Sequence, residues 1–175
     1  ITRPLALYRI AGLAENPDGS IAIGHRIIAK LSRLEVAQHF LSPAPAELVA
    51  SLLAEGKISS RQAELAAHVP MADDITVEAD SGGHTDNRPL VSMMPPMLRL
   101  RDTVQAQREY AAPVGVGAAG GISTPGAALA AFMLGGMLPG FRFEFCYRRP
   151  RWFLWLPQMI LGMNYLKHPV YILHR

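Results

Sequence analysis

The sequence predicts an α/β fold built on parallel strands. Two short runs rich in β-branched and small residues, Ile75-Thr76-Val77 and Val114-Gly115-Val116-Gly117-Ala118, read as buried strands. Each runs within a few residues into a glycine pair, Gly82-Gly83 and Gly120-Gly121, and then into a helical stretch. Two successive strand–helix units with bare-amide corners after the strands are the pattern of a parallel sheet that binds its ligand at the strands' C-terminal edge.

The composition agrees with one globular unit. The chain has 175 residues, half of them hydrophobic and 18% charged, enough to bury a core. The net charge of +3 gives no case for nucleic acid. A single cysteine, Cys146, excludes an internal disulfide framework and fits a reducing, cytoplasmic compartment. No Cys/His cluster has zinc spacing, so no metal is expected. The first residue is Ile and no signal peptide is read before the fold, so a fragment or processed piece is expected.

Ile1 to Leu13 mixes apolar residues with Arg3 and Arg9, and its start reads as cut from a longer segment. Glu15-Asn16-Pro17-Asp18-Gly19-Ser20 is a turn, and the flanking Ile10 and Ile21 to Ile23 predict a small hairpin around it. Arg26 to Ser32 reads as a buried strand; Lys30 on it is either an active-site cation or a snorkelling surface lysine. Leu34 to Phe40 reads as a helix. Pro45 opens a second, Glu47 to Glu55, which Gly56 stops. Ser59 or Ser60 caps a third, through Ala67. A helix, glycine turn and helix resemble a DNA-reading pair, but Arg61 is the lone base-reading cation there, so packing of two short helices is expected. Val91 to Gln107 is helical, and Pro95-Pro96 places its start near Pro96. Ala127 to Leu134 forms the last helix.

The chemistry concentrates after the first of the two strands. Glu78, Asp80, Ser81, His84, Asp86 and Asn87 crowd a few positions around Gly82-Gly83. Paired glycines let the backbone approach a ligand closely, and His84 then stands at the strand's mouth. The second corner, Ala119-Gly120-Gly121-Ile122-Ser123-Thr124-Pro125, combines bare amides with capping hydroxyls at a helix's positive end, which is an anion site suited to phosphate.

The last stretch differs in kind. Both tryptophans and Cys146 lie there, and Arg148, Arg149 and Arg151 precede an apolar run, Trp152 to Leu166. That run is short of the ~20 residues a bilayer span needs. A membrane-surface segment and a divergent or frame-shifted end both fit; the second is preferred.

Ala72 to Leu90, with Val77-Glu78-Ala79-Asp80-Ser81-Gly82-Gly83-His84-Thr85-Asp86-Asn87-Arg88-Pro89 at its centre, resembles the signature of the PfaD-type enoyl reductases. These are trans-acting FMN enzymes of polyunsaturated fatty acid and polyketide synthases, within the nitronate monooxygenase (2-nitropropane dioxygenase-like) superfamily. Ile28 to Arg33, Phe40 to Pro45 and Val116 to Ile122 resemble the same family. The resemblance implies a partial (β/α)8 TIM barrel, about its fifth to seventh strands. Residues 1–135 would form the FMN-binding part, with a helical insertion near 42–69 and an atypical tail at 136–175. It assigns the flavin to Glu78, Ser81, Gly82, Gly83, Ala119, Gly120, Gly121 and Lys30. His84 would be the proton donor or an orienting group. NADPH would reload the flavin, and the substrate would be an enoyl thioester on acyl carrier protein, supplied by synthase components. No nucleic-acid or membrane partner is implied. A nitronate monooxygenase, with His84 as base, is the alternative enzyme; a non-catalytic remnant or docking piece is the alternative outside enzymes. The family's early strands are missing, and Gly136-Met137-Leu138-Pro139-Gly140 stands where its eighth strand is expected. A barrel takes about 250 residues, so this chain is not expected to close one.

Overall fold

The computed structural model describes residues 1–79, 87–120, 122, 124–135 and 170–173. It opens with a helix, α1 (Arg3–Ala11), where the sequence shows no clear element. Pro4 suits its first turn, where no amide partner is needed. The hairpin forms as expected, but tighter. Strand β1 (Leu13–Glu15) pairs antiparallel with β2 (Ile21–Ile23), and Asp18 Oδ1 accepts the Ser20 amide at 2.9 Å inside the turn. Gly19 takes the left-handed conformation there, with φ +81°.

Strand β3 (Arg26–Leu31) leads into α2 (Leu34–Leu41) and then α3 (Ala46–Ala54) and α4 (Ser60–Ala66). Ser59 caps α4 through a reciprocal pair: its hydroxyl accepts the Gln62 amide while the Gln62 side chain accepts the Ser59 amide. The chain returns as β4 (Asp74–Glu78), crosses through α5 (Leu90–Arg108) to β5 (Gly115–Ala119), and enters α6 (Pro125–Met133).

Helix α5 corrects the expected start near Pro96: it begins at Leu90 and holds Pro95 and Pro96 inside. Each interior proline costs about 3 kcal/mol. Burying Met93 and Met94 against the sheet offsets this by about 1.5–3 kcal/mol each. Tertiary packing therefore sets this boundary rather than local preference.

The main sheet runs β5-β4-β3-β6, where β6 is Val170–Leu173. Strands β3, β4 and β5 are parallel, as expected from the two strand–helix units, and β6 lies antiparallel along β3. The tail thus adds an edge strand, although residues 136–169 lie outside the described residues. Among the described residues the sheet is open, so the architecture is a mixed α/β sheet and no closed barrel is seen.

Register divides the sheet into two faces. Ala29, Ile75 and Val116 form one row, and Leu31, Val77 and Ala118 the next; all are buried beneath α2 and α5. The other face carries Lys30, Thr76 and Gly117 in one row and Glu78 beside Ala119 in the next. Away from the sheet, Ala6, Ile10 and Leu13 pack with Leu52, Leu65 and Val69, so α1 and the hairpin share a second core with α3 and α4.

No described helix is long and apolar enough to cross a membrane. No group of three His, Cys, Asp or Glu residues suited to a metal ion occurs among the described residues.

Candidate site at the C-terminal edge of the sheet

The pleat that buries Ile75 and Val77 under the helices turns Thr76 and Glu78 to the opposite face. The parallel register sets Lys30 beside Thr76, one step from Glu78. Lys30 Nζ and Glu78 Oε1 are 2.8 Å apart, with side chains 8% and 2% exposed. Lys30 is therefore neither a snorkelling lysine nor a free cation. It is half of a buried ion pair, which holds both charges in place at the end of the sheet. Opposite them β5 contributes Gly115, Gly117 and Ala119, all buried, so the face is charged on one side and has almost no side chains on the other.

The strands that precede the two glycine pairs end at the same edge. Glu78 and Ala119 are register partners on parallel neighbours, and the Ala79 amide donates to Ala119 O at 2.9 Å. Gly120, next along the chain, has φ +81°, a conformation in which any Cβ is strained. Thr124 then caps α6, its hydroxyl accepting the Ala127 amide at 3.1 Å. Because that hydroxyl serves the helix, its role is structural before it is anion-binding.

Of the residues that the sequence singles out, Lys30, Glu78, Ala119 and Gly120 are thus gathered at one end of the sheet. Ser81, Gly82, Gly83, His84 and Gly121 lie outside the described residues, as do Asp80 and Asp86.

The sequence pattern gave no role to Arg9, Asp73, Ser32 or Arg88. Arg9 and Asp73 form a second buried ion pair at the opposite end of the strands, with Nη1 2.8 Å from Oδ2. Asp74 lies next to it, and burial raises its pKa above the ordinary carboxylate range; Arg26 at 3.8 Å opposes the shift and Asp73 adds to it. The Asp73-Asp74 doublet before a β-branched run was the available signal. Near α5, burial pushes Tyr110 up to about 12, and its hydroxyl donates to Leu41 O at 3.0 Å, tying α5 to α2.

Comparison with known proteins bears on this region. The chain is 53% identical over 135 residues to the polyketide biosynthesis protein PksE of Bacillus subtilis, covering 77% of this chain and 18% of PksE. It is 53% identical over 139 residues to a polyunsaturated fatty acid synthase subunit of Thraustochytrium, covering 77% of this chain and 7% of that protein. The enoyl reductase domain of MlnA, from the macrolactin cluster of Bacillus amyloliquefaciens, superposes with a TM-score of 0.73 at 40% identity, over 78% of this chain and 30% of that one. No family model matches. The chain spans less than a fifth of the length of these curated relatives. The resemblance to the PfaD-type enoyl reductases is borne out over the matched part of the chain: its relatives are named for polyketide biosynthesis and polyunsaturated fatty acid synthase, and its fold is similar to part of an enoyl reductase domain.

Proposed function

We propose that this chain is part of an FMN-dependent enoyl reductase that acts in trans on acyl-carrier-protein-bound enoyl thioesters in polyketide or polyunsaturated fatty acid synthesis. The observation that carries the reading is the Glu78–Ala119 register, which ends the two strands that precede the glycine pairs at one edge, beside the buried Lys30–Glu78 pair. In a parallel α/β sheet that edge is where a ligand sits. The sheet would be part of a larger (β/α)8 barrel completed by sequence beyond this chain.

The chain's donors suit the flavin. A left-handed corner at Gly120 keeps side chains away from a close-approaching anion, and the amides of Gly82, Gly83 and Gly121 would complete its seat. Lys30 is held rigid by Glu78 and would present its ammonium to the polar rim of the cofactor, with Ser81 and Ala119 alongside. When bound, FMN would supply the hydride to the β-carbon of the enoyl thioester, with NADPH as the source of reducing equivalents. His84 would deliver the proton to the α-carbon, or orient the thioester for it. The small residues of this face would put no side chain in the way of a thin acyl chain.

The test is titration of the full chain with FMN, followed by turnover of enoyl thioesters and nitroalkanes. Stoichiometric flavin binding and enoyl reduction are expected, with His84→Ala retaining flavin and losing turnover. Absence of flavin binding would leave the remnant reading; turnover of nitroalkanes alone would leave the monooxygenase reading.

A further inference from the structure

A second site lies at the same end of the sheet but outside the residues assigned to the flavin. A cleft of about 110 Å³ opens where β3 runs into α2 and faces the first turns of α5. Ser32, Arg33 and Glu35 line one side; Arg88, Ser92 and Met97 line the other. Its volume falls well short of the ~300 Å³ of a typical small-molecule pocket, so it seats one chemical group rather than a whole cofactor.

Two of its polar groups lack partners. Ser32 is 4% exposed, yet its hydroxyl makes no hydrogen bond among the described residues. Ser32 lines the cleft, so its hydroxyl is left to bond whatever the cleft holds. Arg88 is exposed and makes no ion pair or hydrogen bond among the described residues. Arg33 has a partner of its own. The Ser92 hydroxyl donates to Pro89 O at 2.8 Å, which leaves its lone pairs free to accept only. The lining holds two arginines and one glutamate, a net of +1. Helix α5 begins beside Arg88 with no acidic residue in its first turn and no side-chain cap, so nothing within the helix cancels its positive end, and Glu35 is the one carboxylate lining the cleft.

The geometry points to a seat for a phosphoryl group, gripped by the Arg88 guanidinium and the Ser32 hydroxyl. Guanidinium geometry matches phosphate oxygens in a two-pronged fashion, and a hydroxyl donor completes the contact. The proposed reaction brings two such groups, the 2′-phosphate of NADPH and the phosphate of the carrier's pantetheine arm. The inference rests on that reading for the source of the group; the seat itself stands on the cleft.

The experiment is calorimetric titration of the full chain with inorganic phosphate, 2′,5′-ADP and pantetheine 4′-phosphate, repeated on Arg88→Gln and Ser32→Ala. Circular dichroism confirms that each variant is folded; Arg88 is exposed, so its replacement leaves the core intact. Binding of at least one probe, weakened fivefold or more by Arg88→Gln, is the expected result. A stronger 2′,5′-ADP arm assigns the seat to the nucleotide, and a stronger pantetheine arm to the carrier. No binding of any probe at millimolar concentration, or a loss smaller than fivefold in Arg88→Gln, overturns the proposal. FMN titration of the same samples separates the two readings. Phosphoryl binding that depends on Arg88 without flavin binding keeps the seat and removes the flavin assignment; the reverse removes the seat alone.

Discussion

Replacing Asp73 by Asn should cost this fold a large part of its stability. Arg9 on α1 is 1% exposed. Its Nε donates to Pro70 O at 3.0 Å, and its Nη1 donates to His25 O at 3.0 Å and to Asp73 Oδ2 at 2.8 Å. Asp73 Oδ2 also accepts the Ile27 amide at 2.8 Å. One guanidinium thus joins α1, the β2–β3 connection, the segment after α4 and the start of β4. Its Nη2 has no partner. Burial pushes the guanidinium below its usual range, and the Asp73 charge opposes that shift. Asp73→Asn keeps the shape and removes the charge, leaving a desolvated cation, for a cost of about 3–5 kcal/mol. Against a total of roughly 5–15 kcal/mol, that is about a fifth or more. At about 2–4 °C per kcal/mol for a chain of this size, Tm falls by roughly 6–20 °C. Arg9→Met should cost somewhat less, because Asp73 keeps the Ile27 amide and some exposure. The double variant should lose less than the sum of the singles, with a coupling of about 2 kcal/mol or more. Urea unfolding with an unchanged slope measures all three. A loss under about 1 kcal/mol for Asp73→Asn, the value of an exposed pair, or strict additivity in the double variant, would refute the reasoning.

Gly12→Ala should destabilise by about 1–3 kcal/mol, since a Cβ there would lie 2.5 Å from the His25 ring and 2.6 Å from its backbone nitrogen; thermal unfolding reads it, and an unchanged Tm would show that the β2–β3 connection yields freely. Asp74→Asn should raise Tm at neutral pH. The folded pKa of Asp74 lies above its unfolded value, so the folded state holds the proton more tightly and stability falls as pH rises through that window. The variant's advantage should vanish below the ordinary carboxylate range, and a Tm difference independent of pH would contradict this. Lys30→Met should leave Glu78 buried without its cation, at about 3–5 kcal/mol. Adding Glu78→Gln should restore stability without restoring FMN binding; a double variant that binds FMN like the parent would remove the pair from the cofactor site.

The elements from β3 to α6 were legible because their signals are local. Ser59 with Gln62 three residues on predicts a capped helix start, and Gly56, at φ +66°, stops the helix before it. The turn at Asp18-Gly19 was legible for the same reason. Helix α1 was not, because Arg9 occupies a core-facing position and spoils the apolar period; the carbonyls and carboxylate that make an arginine tolerable there are 16 to 64 residues away. The start of α5 was misplaced because proline chemistry is local while the burial of Met93 and Met94 is not. At the candidate site, the sequence named Lys30 and Glu78 separately. Only strand register makes them neighbours, and register is a property of the assembled sheet. Arg88 stood inside the motif with no role, since nothing local distinguishes an unpaired arginine from a paired one.

Strands β3 and β4 carry a buried ion pair near each end, and the surroundings separate their roles. At the N-terminal end every contact of Arg9 and Asp73 beyond the pair itself goes to backbone of flanking segments: Pro70 O, His25 O and the Ile27 amide. Those bonds saturate the pair against the fold and leave one guanidinium nitrogen idle, which is how a structural clamp is built. At the C-terminal end Lys30 and Glu78 lie on the face where β5 offers only glycine and alanine, beside a left-handed corner at Gly120. A sheet needs no such bareness for its own packing; branched residues would fill it better, as Val116 does on the other face. Small residues beside a fixed charge pair at that edge are what the proposed cofactor site would require. The same residue chemistry therefore holds the sheet together at one end and, in the proposed function, would flank the cofactor at the other.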